Sequence, residues 1–113
     1  MSVDSILDST KESLGVGSDN KDFDFEICML INSALYALYQ LGVGSSPYTI
    51  TQEHGSWNEF FEGRRDLEIA KTAVYLRVKI VWDPPQSSYV LEALKAQLSE
   101  AEWRLNIQAE KGT

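Results

Sequence analysis

The chain is short of cysteine, histidine, proline and basic residues, with one, one, three and ten of them in 113 positions. Each shortage removes a class of function. Cys28 has no second thiol for an internal disulfide, so a reducing compartment is the default setting for folding. One His and one Cys cannot supply a Cys/His metal set, nor a nucleophile held against a base and an orienting acid. Three prolines and seven glycines exclude collagen-like and low-complexity chains. No run approaches the length of apolar sequence needed to cross a membrane, and Met1–Leu7 (MSVDSIL) lacks the basic start and apolar centre of a signal peptide. These features read as a soluble protein made inside the cell, with residues 1–113 as one domain.

Ten bases face seventeen acids, giving a formal charge of -7 and a pI near 4.6. Duplex binding normally draws on clustered Lys and Arg that neutralise phosphates. Here the only adjacent basic pair is Arg64–Arg65. The balance argues against specific nucleic-acid binding. It equally describes a surface past which DNA can slide without sticking.

What is present is helical periodicity. The expected fold class is all-α, a small bundle of four helices with a long loop between the second and third. The first helix is expected from Val3 to Leu14, stopped by Gly15, with Ile6, Leu7, Lys11 and Leu14 as a narrow stripe on the surface of the core. After a polar, turn-rich stretch, Asp22 or Asp24 is placed to cap a second helix over Phe25–Leu41. Its buried face is Ile27, Leu30, Ile31, Ala34, Leu35, Leu38 and Leu41, with Tyr36 and Tyr39 off the stripe. The third helix, Asp66–Trp82, carries two adjacent apolar stripes, Leu67/Ala70/Val74/Val78/Val81 and Ile69/Ala73/Leu76/Ile80. So wide an arc means that the helix is central to its domain or is covered by a neighbouring subunit, and the expectation is that it exceeds what one small bundle can hide, so that copies of the chain cover it for one another. Asp83–Pro84–Pro85 breaks it. Ser87 or Ser88 then caps a fourth helix reaching about Ile107, with Leu91, Leu94, Leu98, Ala101 and Leu105 as its buried stripe and Glu100–Arg104 paired four apart.

The Val43–Ser56 loop is long for a compact domain. Within it Tyr48–Gln52 (YTITQ) is β-prone, a possible short strand or hairpin that must fold back on itself or pair with another chain; an irregular packed loop is the alternative. Trp57–Phe61 (WNEFF) sets three aromatics on one expected helical turn after Ser56, as a core plug or an interface anchor. No catalytic, metal or cofactor site can be composed from these residues. His54 lies in a polar loop, Cys28 inside an apolar helix, and Asp22/Asp24 and Glu100/Glu102 read as caps and solvated faces. Gly42–Ser46 lacks the Gly-Lys-Ser/Thr ending of a phosphate loop and follows a helix rather than a strand.

Four segments carry a resemblance: Ile31–Gly44 (INSALYALYQLGVG), Gly55–Phe61 (GSWNEFF), Lys71–Leu94 (KTAVYLRVKIVWDPPQSSYVLEAL) and Glu102–Glu110 (EWRLNIQAE). In order and over nearly the whole chain, they resemble the head–tail connector (adaptor) family of long, non-contractile-tailed phages. None is a catalytic signature, and the resemblance implies a structural protein rather than an enzyme. It implies small helical subunits made in the bacterial cytoplasm and assembled at the head–tail interface of the virion. They form a ring beneath the portal, extend the DNA channel and dock a stopper or tail-completion protein. A ring matched to a portal implies roughly twelve copies joined by heterologous contacts.

The same resemblance places portal contacts in the C-terminal part, here Trp103, Arg104, Asn106 and Ile107. Tyr48, Ile50, Trp57, Phe60, Tyr75 and Lys79 are the candidates for contacts between subunits or with the next ring. Thr49, Thr51, Gln52 and Glu53 are the candidates for a loop beside the DNA, which passes without specific binding. The competing reading is a small acidic helical regulator, or nucleic-acid mimic, that occupies a basic partner.

Overall fold

The computed structural model describes residues 4–44, 46–64 and 68–111. It contains α1 (Ile6–Leu14), α2 (Asp24–Gln40), α3 (Trp57–Phe61), α4 (Ala70–Trp82) and α5 (Ser88–Lys111). The fold is all-α, and the expected single turn over Trp57–Phe61 is its fifth, shortest helix. Val3, Arg65, Asp66 and Leu67, named above, lie outside the described residues.

The helix ends follow local chemistry. Ser5 caps α1 by accepting the Asp8 amide at 3.1 Å, and Gly15 ends it in the left-handed conformation at φ 84°. Ser56 caps α3 through the Glu59 amide at 3.1 Å. Ser87 accepts the Val90 amide at 3.4 Å at the head of α5. Neither Asp22 nor Asp24 caps α2, whose N-cap is Phe23 with no side-chain bond. Asp24 instead turns inward, where its carboxylate meets the Lys11 ammonium at 2.7 Å. Lys11, expected to edge a surface stripe, is fully buried. Its ammonium also donates to the carbonyls of Asn20 (2.7 Å) and Ser18 (3.3 Å). Three acceptors offset the cost of removing that charge from water.

α4 lies between α2 and α5 and packs on both. This arrangement decides the meaning of its two stripes. Ala70, Ala73, Val74, Leu76 and Val78 are buried by the chain itself, and Ile69 and Ile80 are half-covered. The helix is central to its domain, and the expectation that copies of the chain must cover it is not met, because α2 and α5 already shelter it; only its last turn shows large apolar surface, at Val81 (64% exposed). On α2, Ile27, Ile31, Ala34, Leu35 and Leu38 are buried as expected, while Leu30 and Leu41 are half-buried. Trp57, Phe60 and Phe61 plug the core as mutually packed rings, the Trp57 indole donating to the Ser9 hydroxyl at 2.8 Å.

Tyr48–Gln52 forms no strand; the only β-type pairing among the described residues is an isolated bridge between Ser5 and Ser56. The segment finds its partners at home. The Asn32 amide takes both backbone groups of Ile50, and the Thr51 amide donates to the His54 carbonyl at 2.8 Å. The side-chain alternation survives without a sheet: Ile50 is buried and Thr49 and Thr51 are exposed.

α5 is the second departure. It runs past Ile107 to Lys111, and among its described side chains only Ala101, Leu105 and Ala109 are buried. Leu91, Leu94 and Leu98, expected in the core, are half-exposed. The reason is length. Arg77 on α4 meets the Glu102 carboxylate, and Arg64, ahead of α4, reaches the Gln108 carbonyl farther along α5, so the two helices run antiparallel with Arg77 near Glu102. Trp82 then falls abreast of about Gln97, and the first turns of α5 overhang the end of α4 by roughly 13 Å. From Ser88 to Gln97 no side chain is buried.

Candidate functional site

The two residues weighed for catalysis sit in opposite surroundings. Cys28 is buried on α2, and desolvation, followed by the charges of Asp24 and Glu53, pushes its thiol above the ordinary value. His54 stands in solvent, 3.5 Å from a Glu59 carboxylate oxygen. Among the described residues no three or more His, Cys, Asp or Glu side chains converge as they would to hold a metal ion, and no helix is long and apolar enough to cross a membrane.

The first surface is the loop. Thr49, Thr51, Gln52 and Glu53 are all exposed, projecting from a segment anchored at Ile50. Beside them, the Tyr48 hydroxyl donates to Glu59 at 2.7 Å and accepts the Ser56 amide at 3.0 Å. Burial and then the Glu59 bond hold the Tyr48 phenol above its usual range. Gly55 faces Ile50 at φ 139°, where a β-carbon would lie 2.4 Å from the Ile50 side chain; only glycine fits.

The second surface is the outer side of α5. Trp103 is 65% exposed, which removes it from the core. Arg104 is exposed and bound to Glu100 at 2.6 Å. Asn106 is half-buried and donates to the Leu41 carbonyl at 2.8 Å, fastening the end of α2 to α5; Ile107 is half-buried.

The six residues expected at subunit contacts divide. Ile50, Trp57 and Phe60 are enclosed by the chain's own core, so their apolar area is already committed. Tyr48, Tyr75 and Lys79 are partly exposed, Lys79 being paired with Asp83 at 2.9 Å.

Periodicity missed a third surface at the Asp83 end of the helical layer. Phe25 (67%) and Met29 (58%) are exposed on α2 beside Val81. Met29 and Val81, together with Leu30 and Trp82, border a groove of about 390 Å³ whose polar rim is Glu26. Phe23 stands edge-on to Trp82, ring centres 5.5 Å apart. The sequence did carry a signal for it. Phe25 and Met29 fall off the α2 core stripe, where apolar residues have no packing reason to be.

A family model described as "Phage connector protein" matches residues 6–112. The chain belongs to the phage connector protein family. The match embraces all five helices, the anchored loop and the exposed part of α5, so the family relationship covers each surface described above. Connector proteins are structural components of the phage particle, and the resemblance carried by the four segments of the sequence agrees with this. No curated protein and no solved structure matches the chain.

Proposed function

We propose that this connector-family chain assembles as a closed ring beneath the portal, lengthens the DNA channel and presents a docking face to the stopper or tail-completion protein. One observation carries the reading beyond family membership. A small helical fold with a satisfied core still exposes large apolar side chains, among them Phe25 and the Met29/Val81 groove, Tyr89 and Val90 at the start of α5, and Trp103. Among the described residues every fully buried side-chain nitrogen and oxygen is hydrogen-bonded, so the exposure does not reflect a poorly formed interior. Apolar surface left over in this way serves contacts with other chains.

Within the reading, Trp103 and Arg104 are the side chains offered to the portal. The loop bearing Thr49, Thr51, Gln52 and Glu53 stands beside passing DNA. A net charge of -7 supplies little to hold phosphate there.

Deleting the gene from the phage tests the role. DNA-filled heads should accumulate beside unattached tails, and a plasmid copy should restore joining. Normal tailed particles from the deletion would overturn the proposal. Tight, salt-sensitive capture of a basic protein would favour the acidic-mimic reading instead.

A further inference from the structure

We infer that the subunit contact of the ring is a helix-in-groove joint: the overhanging start of α5 from one copy lies in the α2/α4 groove of the next. The inference rests on the ring reading and adds the surfaces that make the joint.

The two halves fit in shape and spacing. Leu91 and Leu94 recur at i and i+3 on a stretch with no buried side chain, and Leu98, partly packed on the chain's own core, follows at i+7, the spacing by which an amphipathic helix enters an apolar groove. The groove between α2 and α4 offers Met29, Leu30, Val81 and Trp82, of which Met29 and Val81 are mostly exposed.

Charge favours a second copy as the occupant. The chain as a whole repels itself at -7. Yet Ser88–Gln97 holds one acid and one base, Glu92 and Lys95, so this helix brings no net charge of its own to the acidic groove rim. Glu26 on the groove rim is exposed and outside every ion pair among the described residues. Lys95 is held only loosely, 3.6 Å from Glu92, and can turn to it. Helix and groove are different surfaces of one chain, so the joint can repeat head to tail and close a ring, as the ring reading requires; a reciprocal exchange would stop at a symmetric dimer, and a wild-type chain that gives only dimers would overturn the joint as a ring contact.

The test uses two single variants of the full chain, Leu94→Glu on the helix and Met29→Glu in the groove. Met29 is exposed and Leu94 partly so, and circular dichroism and a thermal melt confirm folding. Mass photometry and gel filtration, with and without portal, read assembly. Each variant alone should lose ring formation. A one-to-one mixture should give a heterodimer and nothing larger, because only one of its two possible joints is intact. If either variant still forms rings, the contact lies elsewhere and the ring reading stands without it. If the mixture stays monomeric, the two surfaces do not pair. If the wild-type chain fails to assemble even on portal, the ring reading falls and takes this joint with it.

Discussion

The side chain of Asn32 binds both backbone polar groups of Ile50, accepting its N–H at 2.7 Å and donating to its carbonyl at 3.1 Å. One amide on α2 thus does for the loop what a neighbouring strand would do, and it fixes Ile50 in the core with Thr49 and Thr51 outward. Replacing Asn32 with Ala removes both bonds and leaves two partly buried backbone groups without partners. The expected loss is about 2 kcal/mol, read from urea unfolding. Faster proteolysis should appear first within residues 46–56. An unchanged urea midpoint would show that the loop is held by other contacts.

Gly55→Ala attacks the same anchor from the other side. At φ 139° the new methyl meets Ile50, so strain and displacement of a core residue combine. The variant should lose about 2–3 kcal/mol, and Ser46→Ala, in the same loop but exposed, should change little.

Lys11→Met leaves the buried Asp24 carboxylate and the carbonyls of Ser18 and Asn20 without their shared donor. Breaking one side of such a pair costs about 3–5 kcal/mol. Adding Asp24→Leu removes the stranded charge and should recover part of that loss, measured as a partial return of the melting temperature. Full stability of Lys11→Met alone would mean that the buried ion pair does not hold α1 to α2.

Alkaline pH should weaken the fold. The Cys28 thiol and Tyr48 phenol are both raised above their ordinary values of 9.0 and 10.0. The unfolded chain therefore releases these protons first, the folded chain binds more protons in that range, and unfolding free energy falls as pH rises through it. Urea midpoints should decline from about pH 9 upward. The decline should be shallower in Tyr48→Phe and in Cys28→Ala. Alkylation of Cys28 should be slow in the native chain and fast in urea.

The helices were legible because their core faces repeat at three and four residues, and because Ser56, Ser87 and Gly15 sit where caps belong. Two features resisted reading for physical reasons. Tyr48–Gln52 has strand chemistry, but its backbone is satisfied by a side chain eighteen residues away, a pairing that no local pattern announces. The Leu91–Leu105 stripe is continuous in sequence, whereas burial stops near Leu98, because α4 is shorter than α5 and periodicity does not know where a neighbour ends. The same blindness assigned surplus apolar surface to the flanks of α4, which α2 and α5 cover, and overlooked Phe25 and Met29. Of the candidate contact residues, exposure separates Trp103 and Arg104 from Ile50, Trp57 and Phe60, whose residue types alone fit core and interface equally well.

The most direct check on the account is the mass of the wild-type chain bound to its portal, by mass photometry with negative-stain imaging. The account calls for one discrete closed ring of roughly twelve copies, set by the portal's own symmetry. Single chains scattered on the portal, or no binding at all, would contradict it.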